Sequence, residues 1–311
     1  MSRSAVAGLY ALLVIIWSST WVAIKFGLED SPPLLGAGAR FTLAGLLLLG
    51  FAALSRRSLR TDWTLAAILA VAPFAFAYGL VYWGEQHIPS GLAAVLFGVL
   101  PLYTAVIAGI FLPEEPLRRR LIFGVLVAIG GLALAFAESL ELGDDELALA
   151  GAAALALSPL GAAVGGVAQK LRAAELDPVV LNGWGMLGGG LLLLAASALG
   201  ESWGEFAWTA ESLGSIAYLA ILGSAVTFVA LTVLLRHLTA QAISFLAMLL
   251  PFGALVFGAV LYNEAITWRA LVGAGLVATG LLIAQTRRPS PRSAERSPAL
   301  ATAGPGRGGN R

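Results

Sequence analysis

The 311-residue chain contains no cysteine. That excludes a disulfide framework, thiol catalysis, and iron–sulfur or Cys-ligated zinc sites. Two histidines, His87 and His237, are too few for a histidine-rich metal centre. There is no HExxH, no GxSxG and no intramembrane carboxylate pair, so hydrolase chemistry has no residues to carry it and no cofactor is expected. Charge is scarce too, at 12% of residues, where soluble domains carry about 25%. What fills the chain instead is apolar: 59% of residues are hydrophobic and the mean hydropathy is +0.86. Too little polar surface is left to cover a water-soluble globule. The composition describes an integral membrane protein whose partners are the lipid bilayer and a small-molecule substrate, with a homodimer as a further expectation and no nucleic acid.

A helix crosses the hydrocarbon core with ~20 mostly apolar residues. Apolar runs of that kind lie near 5–27, 34–54, 63–83, 91–112 and 119–137, and again near 147–168, 179–199, 213–235, 241–262 and 269–286. The alternating ~10-residue segments of a membrane barrel are absent. The first run follows Arg3 but is trailed by no small-x-small cleavage site, and so reads as an uncleaved first helix. The expected fold is therefore all-α, with ten transmembrane helices. Residues 287–311, rich in Pro, Ser, Gly and Arg, form a basic tail expected to be disordered and to lie against anionic headgroups.

Basic residues orient the spans. With the N-terminus in the cytoplasm, Arg3, Arg56, Arg57, Arg60, Arg118–Arg120, Lys170, Arg172, Arg236 and the tail arginines all fall on one side, 16 of the 19 basic residues. Only Lys25, Arg40 and Arg269 fall on the other. The acids reverse this, with Glu138, Glu141, Asp144, Asp145 and Glu146 in one outer loop and Glu201, Glu205 and Glu211 in another. Both termini are expected in the cytoplasm.

The second half echoes the first. At a spacing of 150, Pro101 falls on Pro251, Glu114 on Glu264, Arg119 on Arg269, His87 on His237 and Gly130 on Gly280. At 145, Lys25 falls on Lys170, Pro33 on Pro178, Gly45 on Gly190, and Leu46–Leu49 on Leu191–Leu194. Residues 1–137 and 147–286 thus read as two five-helix repeats. An odd number of spans forces the second copy to enter the membrane upside down, the arrangement of alternating-access transporters with a midplane site.

The stretch Trp17-Ser-Ser-Thr-Trp-Val-Ala-Ile-Lys25, then Ser31-Pro-Pro and Ala39-Arg-Phe41, resembles the opening of EamA-type members of the drug/metabolite transporter superfamily. So does the block from Gln86 through Pro101 to Glu114, with its partner from Leu238 through Pro251 to Glu264. The resemblance covers residues 5–286 and implies a ten-helix inner-membrane permease, often an exporter of amino acids or related metabolites. In one departure the sixth span reads Ser158-Pro-Leu-Gly-Ala, where many relatives carry a tryptophan.

Two nucleotide-binding look-alikes, Gly183-Trp-Gly185-Met-Leu-Gly188 and Gly161 to Lys170, sit inside spans and follow no strand. Their glycines, including Gly161-xxx-Gly165 and Gly185-xxx-Gly189, are read as helix-packing positions. Trp17, Trp21 and Lys25 share one face of the first helix, beside Ser18 and Thr20. Tyr78, Tyr82 and Glu85 share a face of the third. A cavity for an amphipathic solute needs flat apolar walls with a few hydroxyl and N–H groups. The substrate-binding set expected on that ground is Trp17, Ser18, Thr20, Tyr78 and Tyr82 from the first half, with Ser224, Thr227, Phe228, Gln241 and Ser244 from the second. Trp21, Tyr82 and Trp83 also fit an interfacial belt. Pro101 and Pro251 free backbone carbonyls mid-span. Buried charge is costly, so Arg40 is expected to be paired or cavity-facing, with Lys25, Glu29, Asp30 and Glu85 nearby. Glu114 and Glu264 are expected to snorkel or to pair with Arg119 and Arg269. No carboxylate lies near the midplane, which argues against proton coupling through a buried acid.

The function expected is movement, in the export direction, of a small amphipathic metabolite such as an amino acid, by alternating access across the inner membrane. Efflux of lipophilic drugs is the alternative transport reading, and a non-transporting membrane assembly or sensor component the alternative outside transport.

Overall fold

The structure, a computed structural model, describes residues 1–137, 146–262 and 267–285. Glu264, most of the first acidic loop and the basic tail lie outside the described residues. Among the described residues every regular element is helical. In chain order these are α1 (Arg3–Asp30), α2 (Pro33–Leu54), α3 (Trp63–His87), α4 (Ser90–Phe111) and α5 (Arg119–Ala135). Then come α6 (Glu146–Arg172), α7 (Pro178–Gly200), α8 (Ala210–Leu235), α9 (Ala240–Ser244 continuing as Leu246–Tyr262) and α10 (Trp268–Gln285). Seven of them, α1–α4 and α6–α8, are long and apolar enough to cross a bilayer, while α5 and the apolar stretches Ala240–Gly253 of α9 and Trp268–Ala284 of α10 are shorter. Leu46, Leu47, Phe51, Ile110, Phe123, Leu191 and Leu192 point outward and stay exposed. Such an apolar exterior suits lipid and not water. The chain is a multi-pass helical membrane protein.

Local chemistry sets where the helices start. Ser2, Asp62, Asp177 and Thr239 each accept a hydrogen bond from a first-turn amide of the helix that follows, and Pro33 and Pro178 stand at first positions where no amide is needed. The Glu201 carboxylate, at the end of α7, reaches across to accept from Leu34 and Leu35 N–H at the start of α2 (2.8 and 3.0 Å). Glu115 does the same for Ala240 and Gln241 N–H at the start of α9 (2.9 and 3.0 Å).

Two helix pairs are joined glycine to glycine, and both joints are reciprocal. In α2 and α7, a methyl on Gly45 would stand 2.5 Å from Leu187 N and 2.9 Å from Gly183 O, while one on Gly190 would stand 3.0 Å from Gly38 O. In α5 and α10, a methyl on Gly131 would stand 2.7 Å from Gly273 O and one on Gly273 2.5 Å from Gly131 O, with Gly124 and Gly280 meeting in the same way. Backbones this close admit no side chain, so these glycines are packing positions. The reciprocity matches Gly131 with Gly280 and Gly124 with Gly273, a spacing of 149; Gly130, aligned with Gly280 in the sequence reading, faces open space. The other glycine pairs also pack as expected, Gly161 and Gly165 on Ala72 and Pro73, and Gly185 and Gly189 on Leu69, Ala70 and Phe74.

Both α3 and α8 widen into π-helix, over Ala70–Ala77 and Ile221–Val226. These segments stand about 150 residues apart, with Pro73 in one matched by Gly223 in the other. A π-turn leaves carbonyls outside the usual ladder and is often found at functional sites. Thr227 N–H bonds Ser224 O, and Gly223 O is taken by side chains instead: Trp17 Nε1 (3.3 Å), Arg40 Nη2 (3.1 Å) and Thr227 Oγ1 (2.9 Å).

Candidate functional site: a cavity between the two halves

A cavity of about 110 Å³ lies among α1, α3, α4, α6, α8 and α9. α1 supplies Trp17, Thr20, Trp21 and Ile24; α6 supplies Ala162, Gly165, Gly166 and Gln169, each 145 residues after its α1 counterpart. Tyr78 and Val81 of α3 are answered by Phe228 and Leu231 of α8, and Phe97 and Leu100 of α4 by Ala247 and Leu250 of α9, all at a spacing of 150. The positions repeat but the residues do not. Where the first half presents indoles, the second presents Ala162 and Gly166, so the space lies beside α6.

The aromatic wall is held edge to face. Trp17 and Phe228 ring centroids are 5.4 Å apart, Phe74 and Phe228 5.0 Å, and Phe41 and Tyr78 4.7 Å. Trp17 Nε1 also donates to Thr227 Oγ1 (3.0 Å), which fixes the ring against α8. Trp21 is buried against the cavity and its Nε1 has no partner among the described residues, so it is not part of an interfacial belt. Thr104 and Ser244 add hydroxyls, and Gln169 adds an amide whose Oε1 accepts from Thr232 Oγ1 (2.6 Å). Thr232 in turn accepts from Asn182 Nδ2 (2.7 Å), so a buried polar chain ties α6, α8 and α7 together behind the cavity wall.

Of the residues expected from sequence, Trp17, Thr20, Tyr78, Phe228 and Ser244 line the cavity. Ser18, Tyr82, Ser224, Thr227 and Gln241 do not. Successive helical side chains point about 100° apart, so Ser18 turns away from Trp17 and packs on Gly253, and Thr227 sits behind Phe228 as the acceptor for Trp17. Tyr82 and Ser224 hold Arg40. Gln241 Nε2 donates to Pro101 O (3.1 Å), which helps pack α9 on α4. Sequence reasoning missed Gln169, Phe97 and Thr104. The register itself would have found Gln169, since it stands 145 residues after Ile24 on the face that holds Trp17.

Among the described residues Arg40 makes no ion pair, and it does not line the cavity. It is fully buried, donating from Nε to Ser224 Oγ (2.8 Å), from Nη2 to Gly223 O (3.1 Å) and from Nη1 toward Tyr82 OH (3.4 Å). The guanidinium lies over the Phe41 and Tyr78 rings, 4.9 and 4.8 Å from their centroids. Neutral acceptors and ring faces solvate the charge, and the contacts bind α2 to the π-turn of α8. The two lysines related by the repeat do matching work. Lys25 Nζ donates to Glu85 O near the end of α3 (2.9 Å), and Lys170 Nζ to Leu235 O and Leu238 O at the end of α8 (2.7 and 2.8 Å). Cations belong at helix C-termini.

Comparison with known proteins agrees with this architecture. The model of the EamA-like transporter family matches residues 5–137 and again 149–286. The chain is 28% identical over 246 residues to the uncharacterized transporter YoaV of Bacillus subtilis, covering 78% of this chain and 84% of that one. It is 31% identical over 233 residues to the uncharacterized inner membrane transporter YedA of Escherichia coli K12, covering 73% of each. A solved crystal structure with 19% identity superposes at a TM-score of 0.74 over 91% of this chain and 98% of that one, a likeness of fold alone. The chain belongs to the EamA-like transporter family.

Proposed function

We propose that the protein is an inner-membrane permease that moves a small amphipathic metabolite, an amino acid being the chemistry that fits best, outward by alternating access between two inverted five-helix halves, through ten spans with both termini in the cytoplasm. The observation that carries the reading is the cavity whose lining positions recur in both halves, at a spacing of 145 between α1 and α6 and of 150 between the other helices. The reciprocal glycine joints and the matched π-turns support the same two-fold relation, since upside-down copies meet by such self-complementary contacts. The volume favours a solute of few heavy atoms over a drug-sized one, whose sites run to roughly 300 Å³ and above. The walls are apolar, and Trp21 Nε1, Thr104, Gln169 and Ser244 are the polar groups available to a carboxylate or amine.

Comparison of metabolites released by cells with and without the protein identifies the solute. With that solute in proteoliposomes, Trp17→Ala and Tyr78→Ala each remove a wall and are expected to weaken binding by about 1–3 kcal/mol, roughly fivefold to 150-fold in Kd. Thr227→Val keeps its volume but unfastens the Trp17 indole, and is expected to cost less. Unchanged kinetics in all three at matched protein levels would move the site elsewhere.

A further inference from the structure

Glu85 is fully buried near the end of α3, and neither carboxylate oxygen has a hydrogen-bond partner among the described residues. The sequence places it on one face of the third helix with Tyr78 and Tyr82 and among the groups near Arg40, away from the midplane. Its surroundings are nevertheless built around charge. Lys25 of α1 and Arg40 of α2 are the cations within electrostatic reach, yet both spend their donors elsewhere: Lys25 on the backbone carbonyl of Glu85 itself, Arg40 on Ser224 and Gly223 of α8. The other titratable groups at this end of the elements packed here are Glu29 and Asp30 of α1, the latter accepting from Thr209 Oγ1, Tyr78, Tyr82 and His87 of α3, and Glu146, exposed at the start of α6. The corresponding position in the second half is Leu235, so the acid is confined to one end of the cavity.

We propose that Glu85 is a proton-binding site that couples protonation to the opening of this end of the cavity, an inference that rests on the alternating-access reading above. A carboxylate buried without a partner is too costly to hold in its charged form. In the arrangement seen here the acid carries its proton, and Lys25 and Arg40 stay free to clamp α3 and α8. When this end opens and water reaches the side chain, the proton leaves to the aqueous phase at that face. The resulting carboxylate then competes with Glu85 O for Lys25 and with Ser224 Oγ and Gly223 O for Arg40. The Arg40 tie joins the first half to the π-turn of the second, so ionisation loosens a contact between the halves. Closure takes one proton back from the same phase. A metal cation fits less well, because two positive side chains are already in reach and no cluster of ligating side chains occurs among the described residues.

The test needs no transported solute. Val81 lines the cavity one helical turn before Glu85, and the chain has no native cysteine, so Val81→Cys gives one reporter thiol. Its rate of modification by a membrane-impermeant methanethiosulfonate is measured in proteoliposomes between pH 5.5 and 8, alone and combined with Glu85→Gln. Dividing the two rates at each pH cancels the ionisation of the thiol and of His87, which both proteins share. The ratio is expected to rise severalfold with pH, because only the protein with Glu85 opens as it deprotonates. Glu85→Leu, which copies Leu235, is expected to behave like Glu85→Gln and stands in for it if that variant folds poorly. A flat ratio with ready labelling overturns the proton site and leaves alternating access standing. A thiol unreactive in every variant at every pH overturns both.

Discussion

Arg40 shows how one side chain can be held inside a membrane bundle by neutral acceptors and ring faces. Three directed bonds and two ring faces share the guanidinium, and each needs its planar fork. Lysine keeps the charge but has neither the fork nor the flat face. Arg40→Lys is therefore expected to destabilise the folded protein by about 2 kcal/mol or more, seen as a lower unfolding midpoint in detergent. A midpoint equal to that of the unaltered protein would mean that the charge alone matters. Ser224, expected from sequence as a substrate contact, belongs to this cluster; Ser224→Ala should lower stability more than transport affinity.

Among the elements, the glycine joints make the sharpest claim. The Cβ of Gly45→Val would enter the α7 backbone at Leu187 N, which no rotamer can relieve. Forcing the helices apart is expected to cost on the order of 3 kcal/mol, with loss of folded protein from the membrane fraction. Gly130→Ala is the contrasting case: it is one residue from a joint glycine, but its Cβ would meet nothing within 4 Å. It should fold as well as the unaltered chain. Equal yields for the two variants would refute the tight α2–α7 crossing. The π-segments act at the same scale. The one in α8 offers Gly223 O to Trp17, Arg40 and Thr227, so one backbone atom links the cavity wall to the buried charge.

For the whole molecule, orientation follows from where the basic residues fall. Ser58 lies in the exposed link between α2 and α3, beside Arg56, Arg57 and Arg60, and Gly204 lies in the exposed link between α7 and α8, beside Glu201 and Glu205. Cysteines placed there should label from opposite sides of the membrane. Gly204→Cys is expected to react with an impermeant maleimide in intact spheroplasts, and Ser58→Cys only after permeabilisation. Labelling of both from outside would undo the assignment of the termini to the cytoplasm.

Helix positions were legible in the chain because span length is set by bilayer thickness and the ends are set by local caps such as Asp62, Asp177 and Thr239. The double occurrence of the family pattern was legible as well, since Pro, Glu, Lys and His recur at spacings that apolar sequence does not produce by chance. Trp17, Thr20, Tyr78, Phe228 and Ser244 could be chosen as cavity residues from residue type and face. The rest depended on tertiary structure. Which polar side chains turn inward to a partner and which stay open to the cavity is decided by helix rotation and by the acceptor opposite, and a sequence records neither. Ser18, Thr227 and Gln241 were assigned to the cavity for their chemistry, and packing gave them other neighbours. Glu85 was judged by its place along a helix, whereas its burial comes from α6, where Gly84 meets Gly151 and Leu155 and closes over that end of α3.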